Sequence, residues 1–180
     1  LDTGLVQAAV KRNAQRFVSS DGKRLADGLD HDGLEVAKKA MARVGIPDQI
    51  VETVRPWYVS TLLSQPGCEI ARQSAGLKPL DLALREKALA AHKKVVGLET
   101  IDEQLLSLSD LSRPTETAWL KASIALHARI DDTNETLHDL YLKRRIAATW
   151  ELMQVLAGPA ALSPQALEEV RQALVVRRNL

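Results

Sequence analysis

The chain has 180 residues, the length of one ordinary domain, and its 24 Lys and Arg against 23 Asp and Glu leave a formal charge of +1, so no overall basic field points to nucleic acid or anionic lipid. The single cysteine, Cys68, excludes an intrachain disulfide and a zinc site built on the chain's own thiolates, and no apolar run reaches the roughly 18 to 20 residues that span a bilayer. The apolar share comes mainly from Ala, Leu and Val, with only three Trp, two Tyr and one Phe, which suits helix-on-helix packing better than stacked sheets. Leu1 is not an initiator methionine, so the chain reads as a piece of a longer protein.

In chain order, Asp2 or Thr3 caps a first helix through Leu5, Ala8, Ala9 and Arg12, after which Phe17 and Val18 lead into a Ser-Ser-Asp-Gly turn at residues 19–22. A short helical piece over residues 23–29 follows. Asp32 with Glu35 spells a capping box for a helix that carries Leu34, Ala37, Met41 and Val44 at helical spacing and stops at Gly45. Pro47 starts the next helix, which runs through Ile50, Val51 and Val54 to Arg55-Pro56; there the proline disfavours helical geometry at Arg55 and turns the chain. Residues 57–63 resume as an apolar helix, broken at Pro66-Gly67 and restarted through Cys68, Ile70 and Ala71 as far as Gly76. Pro79 and Asp81 open an Ala/Leu/Lys-rich helix to about Lys93.

Residues 94–104, KVVGLETIDEQ, are the stretch around which the rest is organised. Val95 and Val96 read as a short strand, Gly97 permits a close backbone approach, and Thr100 with Glu103 is a capping box opening a helix. Glu99 then stands between a strand end and a helix N-terminus, where ligands and reactive groups collect in α/β proteins. The plainer reading is a solvated turn carboxylate. The helix continues through Leu105, Leu106 and Leu108 to residues 111–114, where Ser112 caps the next, with Trp119, Leu120, Ser123, Ile124 and Leu126 on its apolar face. Leu137, Leu140 and Tyr141 extend that pattern, and the polar patch at residues 131–134 either breaks it or marks a wet face. Ile146, Trp150, Met153 and Val155 form a further helix that stops at Gly158-Pro159. Ser163 and Pro164, N-cap and first helical position, open a last amphipathic helix through Leu167, Val170 and Leu174 to Arg177 and Arg178. The expected fold is mainly α: one multi-helix domain over residues 1–180 with one or two short strands.

Four constellations could carry chemistry. Gly28-Leu29-Asp30-His31 spells GxxH, but it lies between a short helix and a capping box with no strand before it, and coincidence is the favoured reading. His127, Asp131, Glu135 and His138 lie at spacings of four, four and three, and Glu135-x-x-His138 copies half of a carboxylate-bridged metal motif. The second half is missing and the stripe lies off the apolar face, so a row of capping and ion-pairing side chains is favoured over metal binding. Lys143-Arg144-Arg145 is too short, and too poor in neighbouring aromatics, for a nucleic-acid footprint. Trp57 and Tyr58 line either a ligand groove or, as the favoured reading, a core. Cys68, in an apolar run, reads as packed rather than reactive. No GxSxG, Cys/His pair or Walker-type loop is present.

Taken together, Arg55-Pro56-Trp57, Pro66-x-Cys68-Glu69, Leu80-Asp81, the block from Lys94 to Thr100 with Glu103-Gln104-Leu105, Tyr141-Leu142 and Arg178-Asn179 resemble the TraB/GumN family. Its members include bacterial pheromone-shutdown proteins and the animal TIKI proteins. The KVVGLET run is the specific part, and the matches reach from about Arg55 to the end of the chain. The resemblance implies the helical middle region of a larger α/β domain, in a family whose TIKI members are described as metal-dependent proteases built on two GxxH motifs and acidic residues. By that comparison both GxxH motifs lie outside this chain, and Gly28 to His31 is no substitute. Glu99 carries over as the catalytic position, with Asp81, Arg178 and Asn179 as second-tier positions of unassigned role. A divalent metal is implied for the full-length protein and none for this chain; a periplasmic or envelope location is implied in the same way.

Two functional readings follow from the sequence. In the first, the chain belongs to a metal-dependent peptide hydrolase and is inactive alone. In the second, it is a non-catalytic helical module that binds a peptide or protein partner through a groove near Trp57 and Tyr58, without nucleic acid and without a membrane span.

Overall fold

Prolines and short polar side chains write most of the helix starts, and the computed structural model, which describes residues 3–176, follows them through eleven α-helices with no sheet among those residues. These are α1 (Thr3–Arg12), α2 (His31–Arg43), α3 (Asp48–Val51), α4 (Pro56–Leu63), α5 (Gly67–Ser74), α6 (Leu80–Ala90), α7 (Ile101–Ser109), α8 (Arg113–His127), α9 (Ile130–Leu142), α10 (Ala148–Ala161) and α11 (Pro164–Arg171). Tight turns at Ala14–Arg16 and Leu25–Gly28 join α1 to α2, and a wider turn at Gln172–Val176 continues α11. Pro56, Pro114 and Pro164 occupy the first two positions of α4, α8 and α11, where the missing N–H costs nothing. Ser163 caps α11 as its sequence suggests, its hydroxyl accepting from the Ala166 N–H at 3.1 Å. Gly45 and Gly76 end their helices in the left-handed region, at φ 77° and 80°.

The core forms where α2 and α8 pack against α4. Ala37, Ala40 and Met41 of α2, Val59 and Leu63 of α4 and Leu120 of α8 bury together with Leu25, Val51 and Val54. A smaller cluster, Leu111, Val170 and Ala173 with Trp119 and Leu174 against it, ties the end of the chain to the start of α8. The mainly helical character is as expected, but the strand content shrinks to one bridge between Val18 and Val54. Around it the Ser19 N–H donates to the Thr53 carbonyl at 2.7 Å and the Arg55 N–H to the Phe17 carbonyl at 2.9 Å.

Several expectations need correction. Val95 and Val96 form no strand: both are exposed, and β propensity has nothing to act on where no described segment pairs with them. The cap of α2 is Asp30 rather than Asp32, so the helix starts two residues early; Asp30 Oδ1 accepts from the Gly33 N–H at 2.8 Å, and Glu35 instead pairs with Lys38. A side chain at 33 would bring its Cβ to 2.9 Å of that oxygen, so glycine there admits the cap. The pattern from α8 does break, one of the two readings left open, but at Ala128 and Arg129 rather than in the polar patch at residues 131–134, which lies inside α9. α10 passes through Gly158-Pro159 to Ala161. Cys68 is exposed rather than packed, since no residue from 67 to 98 is buried. Along that stretch Leu80, Leu84 and Val96 lie more than half exposed and Leu98 fully so.

Candidate functional site

Glu99 lies half-buried in a bend immediately before α7, and the bend is held by its neighbours. Thr100 Oγ1 accepts from the Glu103 N–H at 3.1 Å, while Glu103 Oε2 accepts from the Thr100 N–H at 2.7 Å and from its hydroxyl at 2.8 Å. The capping box read from the sequence is therefore present in both directions. These bonds, the Thr100 N–H first, hold the Glu103 carboxyl below its ordinary range. Replacing Thr100 by alanine is expected to cost about 1 kcal/mol in urea unfolding, and by serine only a few tenths, because serine keeps the oxygen acceptor.

The same helix start is clamped from outside. Asp102 accepts from Arg12 Nη2 at 2.8 Å and from the Asn13 side-chain amide, and these partners, Arg12 foremost, lower its pKa. Arg16 extends the network, donating from Nε to Asn13 Oδ1 at 3.0 Å and from Nη1 to Ser109 Oγ at 3.1 Å, so both ends of α7 are tied to the α1 side. Glu99 is thus carried on a fixed helix start beside the exposed segment Val95 to Leu98.

The other positions singled out by sequence scatter. Asp81 is exposed in the first turn of α6, and Arg178 and Asn179 lie outside the described residues. His31 is the exposed first residue of α2. The histidine stripe serves structure: His127 Nδ1 meets the Leu63 carbonyl at 3.1 Å, and Asp131 Oδ1 accepts from the Gly67 N–H at 3.1 Å at the start of α5, while Glu135 and His138 stay exposed. Lys143 pairs with Asp139 at 2.8 Å beside exposed Arg144 and Arg145. Among the described residues no group of three or more His, Cys, Asp and Glu side chains could hold a metal ion. The donor set a divalent metal requires is not met by them, and no chemical step is assigned to one.

Trp57 is packed rather than open to a groove. Trp57 is 2 % exposed, its ring meets Phe17 and Tyr58 at centroid distances of 5.1 and 5.8 Å, and its Nε1 donates to the Arg16 carbonyl at 3.1 Å. Tyr58 is half-buried, and burial raises its phenol pKa. Beside this cluster Arg55 Nη2 donates to Glu116 Oε1 and, at 3.4 Å, to the Leu111 carbonyl. Glu116 is fully buried, which pushes its carboxyl pKa up against the opposing pull of Arg55. No sequence signal marked Glu116, because its partner lies 61 residues earlier. A separate apolar cavity of about 320 Å³ opens between α8, α9, α10 and α11, with Trp119, Leu126, Leu137, Trp150, Met153 and Leu174 among its walls. Glu99 does not line it.

Fold and site together define a mainly helical protein in which a capped helix start presents a carboxylate. A family model described as the TraB/PrgY/gumN family matches residues 2–180, and the chain belongs to that family. The matched region takes in α1 to α3 as well as the part from Arg55 onward in which the resemblance was legible. No curated protein and no solved structure matches the chain.

Proposed function

We propose that this chain is the helical part of a TraB/PrgY/gumN protein that acts on peptides, and that Glu99 contributes a carboxylate to a reaction centre completed by residues other than these. The observation that supports this reading is the bend before α7: a half-buried carboxylate next to a helix start fixed by the reciprocal Thr100–Glu103 cap, beside the exposed apolar side chains of Val95, Val96 and Leu98. Asp81, Arg178 and Asn179 are secondary positions in the same reading. The described residues, which include all four histidines, supply no imidazole set for a divalent metal, so the chain alone is expected not to hydrolyse peptides in the presence of Mn²⁺ or Co²⁺. Cleavage by these residues that Glu99→Gln abolishes, with the fold intact by circular dichroism, would overturn the assignment of an incomplete centre.

A non-catalytic module that binds a peptide or protein partner is the second reading. The packing of Trp57 speaks against a groove at that residue, and the exposed side chains of Leu80, Leu84, Val96 and Leu98 support this reading instead.

A further inference from the structure

Two open clefts flank the turn at Arg55-Pro56. The first, about 570 Å³, is lined by the guanidinium-bearing Arg12, Arg16 and Arg55 together with Ser19, Ser20 and two side-chain amides, and no carboxylate residue is among its walls. The second, about 640 Å³, sets Lys23, Arg24, Arg113 and Lys121 against a single acid, Asp27, over an apolar floor that includes Leu25 and Leu29. They adjoin at Arg113, whose Nη1 donates to Ser19 Oγ at 2.8 Å on one rim and whose Nη2 donates to the Arg24 carbonyl at 3.4 Å on the other. In a chain of formal charge +1, cations are concentrated here far beyond their average density.

Part of that charge is already matched. Arg12 is paired with Asp102, Arg24 with Asp27 at 3.5 Å, and Arg55 with Glu116. Arg16 and Arg113 differ in degree: their hydrogen-bond partners are the neutral side chains of Asn13, Ser109 and Ser19 and a backbone carbonyl, and neither forms a salt bridge among the described residues, although the charge of Arg16 also reaches Asp102 and that of Arg113 reaches Glu116. Asp21 accepts from the Lys23 backbone N–H at 3.1 Å, which with the weaker pull of the Arg113 charge lowers its pKa, but it is exposed and outside ion-pair distance of Arg113. Neutral bonds orient a guanidinium without consuming its charge, which is how arginine is held ready for an oxyanion.

We propose that these joined clefts bind an extended peptide segment bearing acidic groups, its oxyanions meeting Arg16 and Arg113 and its intervening apolar side chains meeting the apolar surface at Leu29 and Pro114. Alternation of side chains along an extended peptide matches a cleft with a cationic rim and an apolar floor. Neither cleft has an aromatic wall on which bases could stack, which argues against single-stranded nucleic acid as the occupant. The choice of a peptide rests on the peptide-acting reading above, but the site itself needs no metal and no Glu99.

The test is fluorescence anisotropy with metal absent, using a labelled peptide that alternates Glu and Leu. Binding at low salt is expected to weaken about tenfold or more when every Glu is replaced by Gln, and to weaken as salt rises. Arg16→Gln combined with Arg113→Gln is expected to weaken it about tenfold. Lys23→Gln combined with Lys121→Gln, which changes only exposed side chains, is expected to weaken it about two- to fivefold and reports on the cleft even where the arginine pair fails to fold. A phosphoserine version separates the two oxyanion sources: tighter binding assigns phosphoryl groups, weaker binding assigns carboxylates, and both uphold the site. Equal binding of the Gln peptide, no binding at low salt, an unchanged affinity in the lysine pair, or tighter binding of oligothymidylate would overturn it. Because cleavage is not measured, loss of the hydrolase reading leaves these outcomes standing.

Discussion

Replacing Trp57 by alanine is expected to lower the unfolding free energy by about 4 kcal/mol, from the usual range of about 3 to 5 for truncating a buried aromatic. The side chain is 2 % exposed at the second position of α4, where that helix meets the Val18–Val54 bridge and the turn at Ala14–Arg16. Truncation opens a void between Phe17 and Tyr58, and it leaves the Arg16 carbonyl without the donor it now receives at 3.1 Å. The lost bond alone is worth about 1 kcal/mol. Trp57→Phe keeps most of the ring and loses only the donor and part of the volume, so it should cost about 1 to 2 kcal/mol. Against a typical total stability of about 5 to 15 kcal/mol, the alanine variant would be marginal at best. Urea unfolding followed by far-ultraviolet circular dichroism separates the two. An alanine variant within about 1 kcal/mol of the native chain would mean that the joint collapses around the missing ring.

What the sequence makes legible is what neighbours decide. The Thr100–Glu103 box and the Ser163 cap need only residues three apart, and both form as read. Asp30 and Asp32 compete for one helix start, and the side chain two residues earlier prevails because Gly33 lets its oxygen approach; that depends on backbone clearance, which residue type alone does not report. Val95 and Val96 carry a real strand propensity, yet a strand needs a partner's N–H and C=O groups, and none of the described segments offers them. Arg55-Pro56-Trp57 was legible as part of a family resemblance, but its role was not. Its partners are Glu116, Leu111, Arg16 and Phe17, all distant in sequence, and they make it the joint between α4, α8 and the start of the chain. The basic clefts are hidden for the same reason: a formal charge of +1 conceals a cluster that only folding assembles.

Arg55→Met should be as costly as the loss of Trp57, at about 3 to 5 kcal/mol near neutral pH, because it leaves a buried carboxylate without its counter-charge. Glu116 is fully buried, and its Oε2 accepts no hydrogen bond of ordinary geometry even with Arg55 in place. Burial raises its pKa above the ordinary 4.5, while the bond and charge of Arg55, the charge of Arg113 and the Trp57 backbone N–H pull it partly back. Between the unfolded and the folded value the native state therefore binds more protons than the unfolded chain, so this group's contribution is fully favourable below about 4.5 and is lost as pH rises through the folded value. Removing Arg55 removes most of the downward pull and widens that window. The penalty of Arg55→Met should accordingly shrink in acid, where Glu116 is protonated, and grow toward neutrality. Glu116→Gln carries no titrating group, so relative to the native chain it should gain stability with rising pH. The double variant should recover part of the Arg55→Met loss, since the uncompensated charge is gone. Comparing variants cancels the opposite trend of exposed carboxylates such as Glu168, which Arg171 lowers to about 2. Urea midpoints measured from pH 4 to pH 8 decide the matter: a penalty for Arg55→Met that stays flat across that range would mean the buried carboxylate is not its source.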